Sequence, residues 1–207
     1  MNEKKDIILE KVAQLFFKYG IRSVTMDDIA HDAGISKKTL YQHFKDKETL
    51  ISEFVDTFFI CNPNFNLTKG EGLNAIDKVM KIRKHMEDLF KLFQSNLEHD
   101  LRRFYPAIYQ TMEDFKRVKI YEDDYSLIEQ GKKEGLFRQE VDPHFIARLT
   151  VGRFLLLFNP DYGLFTEQET HSIELFDKAV DYHFHGICTD KGIQYFKQQL
   201  NKIQNEN

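Results

Sequence analysis

The chain has 207 residues, 42% of them hydrophobic and 30% charged, with a formal net charge of −4 at pH 7. That length supports one or two domains with a real core, and the balance of apolar and charged residues excludes an intrinsically disordered chain. The most apolar run, Phe154 to Phe158, is far shorter than the roughly 20 residues that cross a bilayer, so no membrane span is expected.

Only 10 Gly and 4 Pro occur and long alternating strand patterns are absent, so the fold is expected to be all-α. Two cysteines far apart, Cys61 and Cys188, do not suggest a disulfide framework and fit a reducing compartment. The opening MNEKKDIILEKV lacks the apolar run and cleavage site of a signal peptide, and a cytoplasmic location is expected.

In chain order, Ile8, Val12, Leu15, Phe16 and Tyr19 recur at helical spacing from about Lys4 to Tyr19, and Gly20 is placed to end that helix. Thr25 then reads as an N-cap with Asp28 three residues on, a capping box that opens a short helix with Ile29, Ala30 and Ala33 on its inner face. Ala33-Gly34-Ile35-Ser36 supplies a small residue, a glycine, an apolar residue and a new N-cap. A second short helix follows, with Leu40 and Phe44 turned inward. That leaves Lys37, Lys38, Thr39, Tyr41, Gln42 and His43 near or facing solvent. Two short helices about a tight turn are what a helix-turn-helix requires. Ser36 to Lys47 holds four lysines against one acid, a local basic patch on an acidic chain suited to phosphate contact.

These residues resemble the N-terminal domain of the TetR/AcrR family of bacterial transcriptional repressors. The resemblance covers about the first 55 residues: an amphipathic helix ending FFKYG, then TMDDIA, then AGISKKTLYQHFKDKETL, with TLY-x-HF-x-x-K at its end. It implies a DNA-binding domain over residues 1–48 and a helical effector-binding and dimerisation domain over 49–207. It implies phosphate anchors at Thr25, Tyr41, His43 and Lys47, with Ser36 and Lys37 at or near the DNA backbone. Lys38, Thr39 and Gln42 are the candidates for base edges, since Lys38 can donate to guanine and Gln42 can pair twice with adenine. Other members often carry glycine at the position of Lys38 and an aromatic at that of Gln42, so base preference does not transfer.

A further helix is expected from near Asp46 through LISEFVDTFFI, with Leu50, Phe54 and Phe58 on one face. Lys47 would stand at its amide-rich N-terminus, a second reason to expect phosphate there. Asn62 to Gly72, rich in Asn and Gly, reads as a loop. A long helix from Leu73 to about Asn96 comes next, then a short connecting helix or turn over Leu97 to Phe104. One long helix or two follow from Tyr105-Pro106 to Gly135. Asp142-Pro143 opens VDPHFIARLTVGRFLLLF, apolar round much of its circumference and therefore expected to be buried on two sides. Thr166 to Glu169 is a capping box expected to start SIELFDKAVDYHFHGIC, and a last amphipathic helix spans roughly Gly192 to Ile203.

One short recognition helix makes few base contacts, and helix-turn-helix proteins usually bind two-fold operators, so a homodimer on a double-stranded pseudo-palindromic operator is expected. The helices near Pro143 to Phe158 and Thr166 to Cys188 are the candidates for its interface. Nineteen Phe and nine Tyr, with no Trp, suggest a lining for a small apolar or aromatic effector. Phe54, Phe58, Phe90, Phe93, Tyr109, Phe115 and Phe154 are its candidates. His183, His185 and Cys188 offer a weak metal pattern better explained by packing, and neither a metal nor a cofactor is assigned. No nucleophile elbow, phosphate loop, paired CxxC or His-Glu-x-x-His occurs, so an enzyme is not expected. The rival reading is a ligand-binding or interaction protein that keeps the helix-turn-helix without a specific operator. Equal affinity for operator and random DNA would mark it.

Overall fold

A computed structural model describes residues 3–61, 72–92 and 97–206. Among these residues the fold is all-α: helices α1 (Glu3–Tyr19), α2 (Met26–Asp32), α3 (Lys37–His43), α4 (Lys47–Val55), α5 (Ala75–Leu92), α6 (Leu97–Phe104), α7 (Pro106–Lys133), α8 (Pro143–Leu157), α9 (Glu167–Thr170), α10 (Ile173–Ile187) and α11 (Asp190–Glu206). The loop expected over Asn62 to Gly72 lies outside the described residues except for Gly72. The chain divides into two compact units, residues 1–66 with 91–116 and residues 67–90 with 117–207.

The first unit is built on the apolar stripe of α1. Ile8, Val12 and Phe16 are buried against Ile29, Leu40, Leu50 and Phe54. The Phe16 and Phe54 rings meet edge-on with centroids 5.3 Å apart, the arrangement aromatic quadrupoles favour. After α4 the chain widens into a π-helical turn over Asp56–Ile60, which carries Phe59 into the same core. α6 and the start of α7 add Leu97, Leu101, Ile108 and Met112. Lys116 bridges these two helices, its ammonium 2.5 Å from Glu98 and 3.1 Å from Glu113.

The second unit has its own core, centred on Ile76, Ile128, Phe137, Phe184 and Phe196. Arg83 forks onto Asp177 with two 2.7 Å hydrogen bonds, tying α5 to α10. α7 is one helix of 28 residues within the stretch where one or two were expected. It closes at Gly135, whose φ of 70° suits glycine, and Leu136 and Phe137 then fold back into the core. Gly131 is required for that return. A Cβ there would lie 2.2 Å from the Phe137 ring.

Two expectations are corrected here. The capping box of Thr166 and Glu169 forms, but it opens only the single turn of α9. The long helix α10 starts again at Ile173 under a separate N-cap, Ser172. Helix α8 is not buried on two sides within the single chain. Ala147 and Val151 are buried, whereas Phe145, Leu149 and Leu156 stand 61%, 48% and 41% exposed.

Candidate nucleic-acid interface

The helix-turn-helix is held by local hydrogen bonds that its sequence dictates. Thr25 caps α2: its hydroxyl accepts from the Asp28 amide at 3.2 Å and donates to the Asp28 carboxylate at 2.6 Å, while its own amide donates to that carboxylate at 2.8 Å. These bonds hold the Asp28 carboxyl below the usual carboxylate range. α2 ends in a Schellman arrangement. The Gly34 amide reaches the His31 carbonyl, the Ile35 amide reaches the Ala30 carbonyl, and Gly34 sits at φ 65°. Ser36 then caps α3, accepting from the Thr39 amide at 3.1 Å.

Leu40 and Phe44 are fully buried, which fixes the rotation of α3 and turns its opposite face outward. Lys37, Lys38, Tyr41 and Gln42 are exposed on that face, with Thr39 and His43 at its borders. Lys38, Tyr41 and Gln42 make no hydrogen bond or ion pair with the described residues. Lys37 pairs with Asp27 at 2.5 Å, and both partners are exposed. Such a pair contributes only about 0–1 kcal/mol and is readily exchanged for a phosphate.

The remaining candidate donors are partly committed. Ser36 Oγ and Thr39 Oγ1 lie 2.8 Å apart, so one of these two hydroxyl protons is used between them and one is left to point outward. The Thr25 hydroxyl proton is engaged by Asp28, which makes Thr25 a helix cap with no proton for a phosphate in this arrangement. Lys47 is committed further. Its ammonium donates to the Ile21 carbonyl at 2.6 Å and to the Val24 carbonyl at 2.5 Å, leaving one of three protons. Burial lowers its pKa, with the Asp100 and Asp28 charges acting against that shift. Asp46 already caps α4, accepting from the Thr49 amide at 2.8 Å where an anion was expected.

Sequence reasoning did not identify Asp100. Its carboxylate accepts from the Arg22 amide at 2.9 Å, so the loop entering α2 is held by Lys47 through two carbonyls and by α6 through one amide. Backbone partners carry no sequence signature, which is why this clamp was hidden.

The effector candidates divide between the two units. Phe54 is fully buried in the first core, Phe58 and Tyr109 pack against it, and Phe115 belongs to the same unit. Phe90 and Phe154 belong to the second unit, where both rings meet Phe158, at 6.0 Å and 4.7 Å between centroids. Phe93 lies outside the described residues. In the metal pattern, His183 is buried while His185 is exposed and bonded to the Asp181 carbonyl. Burial pushes the Cys188 thiol up to about 12. Among the described residues no group of three or more His, Cys, Asp or Glu side chains is arranged to hold a metal. No described helix is long and apolar enough to cross a membrane.

Residues 8–54, α1 through most of α4, match the family model described as bacterial regulatory proteins, tetR family. The chain is similar to the HTH-type transcriptional regulator SAB2452 of Staphylococcus aureus, 31% identical over 133 residues that span 59% of this chain and 70% of that protein. It is also similar to the HTH-type transcriptional repressor KstR2 of Mycobacterium tuberculosis, 26% identical over 162 residues, 72% of this chain and 76% of the other. The fold is shared with a transcriptional regulator from Cytophaga hutchinsonii, with a TM-score of 0.68, 23% identity and coverage of 89% of this chain and 98% of that one. With the capped two-helix reader in place and its outer face carrying unpaired donors, these likenesses have one meaning: the chain belongs to the TetR family of bacterial transcriptional regulators.

Proposed function

We propose that the protein is a cytoplasmic, ligand-responsive repressor that binds a pseudo-palindromic operator as a homodimer. The observation that carries this reading is the outer face of α3, where Lys38, Tyr41 and Gln42 stand exposed without partners among the described residues on a helix fixed by Leu40 and Phe44. Lys38 and Gln42, with whichever of Ser36 and Thr39 keeps its hydroxyl proton, reach base edges. Tyr41, His43 and Lys37 hold phosphates. Thr25 and Lys47 position the reader. A relative named as a repressor supports repression as the direction of control.

The apolar face of α8 supports the dimer. Phe145, Leu149 and Leu156 lie on one side of that helix and Tyr182 of α10 is 82% exposed, so both helices offer apolar surface for a second copy. Pairing two readers one DNA turn apart, about 34 Å, doubles the base contacts. The effector reading rests on the second unit, in which Phe90, Phe154 and Phe158 form an aromatic cluster.

The test is a titration of the purified protein on its selected operator, on operators with single mismatches and on random DNA. The expected result is tight operator binding that Gln42→Ala weakens by about 1–3 kcal/mol chiefly at one base pair. Equal affinity for operator and random DNA would overturn the reading.

A further inference from the structure

Four polar side chains that DNA reading does not use converge in the second unit. Asp124 of α7, Thr150 and Arg153 of α8 and His183 of α10 form one cluster, His183 buried and the other three partly buried, with Arg153 acting electrostatically on both Asp124 and His183. Asp124 Oδ2, Thr150 Oγ1 and His183 Nε2 are closed to solvent without a well-formed hydrogen bond among the described residues, although the Thr150 hydroxyl lies close enough to the Asp124 carboxyl to favour its ionised form. His183 is only 8% exposed. Buried polar atoms in native proteins are almost always paired, so an unpartnered His183 Nε2 beside an imperfectly satisfied Asp124–Thr150 pair, on three helices, points to a partner from outside the chain.

The chemistry of the cluster restricts that partner. Asp124 Oδ2 accepts, Thr150 donates or accepts, and His183 Nε2 does either according to tautomer. The Arg153 and Asp124 charges offset one another, so an anionic head would face the carboxylate and a cationic one the guanidinium. Burial and Arg153 together hold the His183 pKa down to about 3, so its ring is neutral. The surroundings set the remainder of the molecule. Thr150 and Phe154 are four residues apart on one side of α8 and Phe158 caps its C-terminus, placing the aromatic cluster about 6–12 Å along the helix axis from Thr150.

We infer that the second unit binds an uncharged amphipathic small molecule, its hydroxyl or amide head held by Asp124, Thr150 and His183 and its apolar body lying against Phe90, Phe154 and Phe158. This rests on the reading of that unit as the effector unit and sharpens it: a purely apolar effector would leave the polar cluster unanswered.

Calorimetry on the DNA-free, full-length protein with four matched probes tests it: 4-phenylbutan-1-ol, butylbenzene, 4-phenylbutyrate and 4-phenylbutylamine. The alcohol is expected to bind at least ten-fold tighter than the other three. Thr150→Val should abolish that preference while leaving the melting temperature nearly unchanged, because the hydroxyl removed makes no well-formed hydrogen bond, and Thr150→Ser should restore it. The inference falls if the alcohol binds no better than butylbenzene or either ion, if no probe binds, or if Thr150→Val lowers the melting temperature and keeps the preference. Operator affinity measured separately distinguishes the two claims. Alcohol binding without any change in DNA affinity would leave the site standing and remove its role as the effector site. Intact operator binding with no probe selectivity would do the reverse.

Discussion

Replacing Lys47 by Met keeps the apolar stem and removes only the ammonium, so the variant isolates the clamp on the loop between α1 and α2. Two hydrogen bonds are lost, to the carbonyls of Ile21 at 2.6 Å and Val24 at 2.5 Å. A bond from a charged donor contributes about 1.5–3 kcal/mol, and Lys47 is half-buried, so a combined loss of about 2–4 kcal/mol is expected. At about 2–4 °C per kcal/mol for a chain of this size, the melting temperature should fall by about 5–15 °C at fixed protein concentration. DNA affinity should fall equally on operator and random sequence, because the loop sets how α2 presents α3. The slope of log affinity against log salt should stay at the parent value, since no phosphate contact is removed. A slope flattened by about 0.9 with an unchanged melting temperature would refute the clamp and restore Lys47 as a phosphate anchor.

Two glycine substitutions should cost stability for different reasons, read as shifts in the denaturant midpoint. Gly34→Ala meets nothing within 4 Å, so only its φ of 65° matters, at about 1–2 kcal/mol. Gly131→Ala drives a Cβ into the Phe137 ring and should cost about 1–3 kcal/mol or more through overpacking. Asp124 and His183 predict a cancellation in pH dependence. Burial raises the Asp124 carboxyl to about 6, so its contribution is fully present below the unfolded value near 3.9 and is lost as pH rises through 6. Burial and Arg153 lower His183 to about 3, so its contribution is present above about 6.5 and is lost as pH falls. Between about pH 4 and 6 the two nearly cancel, and Asp124→Asn should expose a stability rising by roughly 1.4 kcal/mol per pH unit in urea titrations. Finally, Phe145→Asp with Leu149→Asp should leave a folded monomer by sedimentation with operator binding lost, whereas a persistent dimer would move the interface off α8.

The parts of the protein that were legible from sequence are those fixed by neighbours along the chain. The Thr25–Asp28 cap, the Gly34 turn and the Ser36 cap each join residues three or fewer positions apart, or require a positive φ that glycine supplies, so their geometry follows from spacing. The rotation of α3 followed from Leu40 and Phe44 in the same way. The bracing bonds of Lys47 were not legible, because its partners are backbone carbonyls 26 and 23 positions away and a lysine beside a DNA reader looks the same whether it braces the loop or touches phosphate. Asp124 was hidden inside the run Glu122-Asp123-Asp124, where composition gives no sign that one of three acids turns inward. The apolar residues of α8 were legible, and they were expected both to be buried on two sides and to form part of a dimer interface; hydrophobicity alone does not say which of these residues the chain itself covers.

The most direct test of operator recognition is to sequence the DNA fragments that the purified full-length protein retains from a random pool. A dimeric operator reader should enrich a two-fold motif with half-sites one helical turn apart, lost with Gln42→Ala at one base pair in each half. A retained pool with no motif, or a single motif without two-fold symmetry, would contradict operator reading by a dimer.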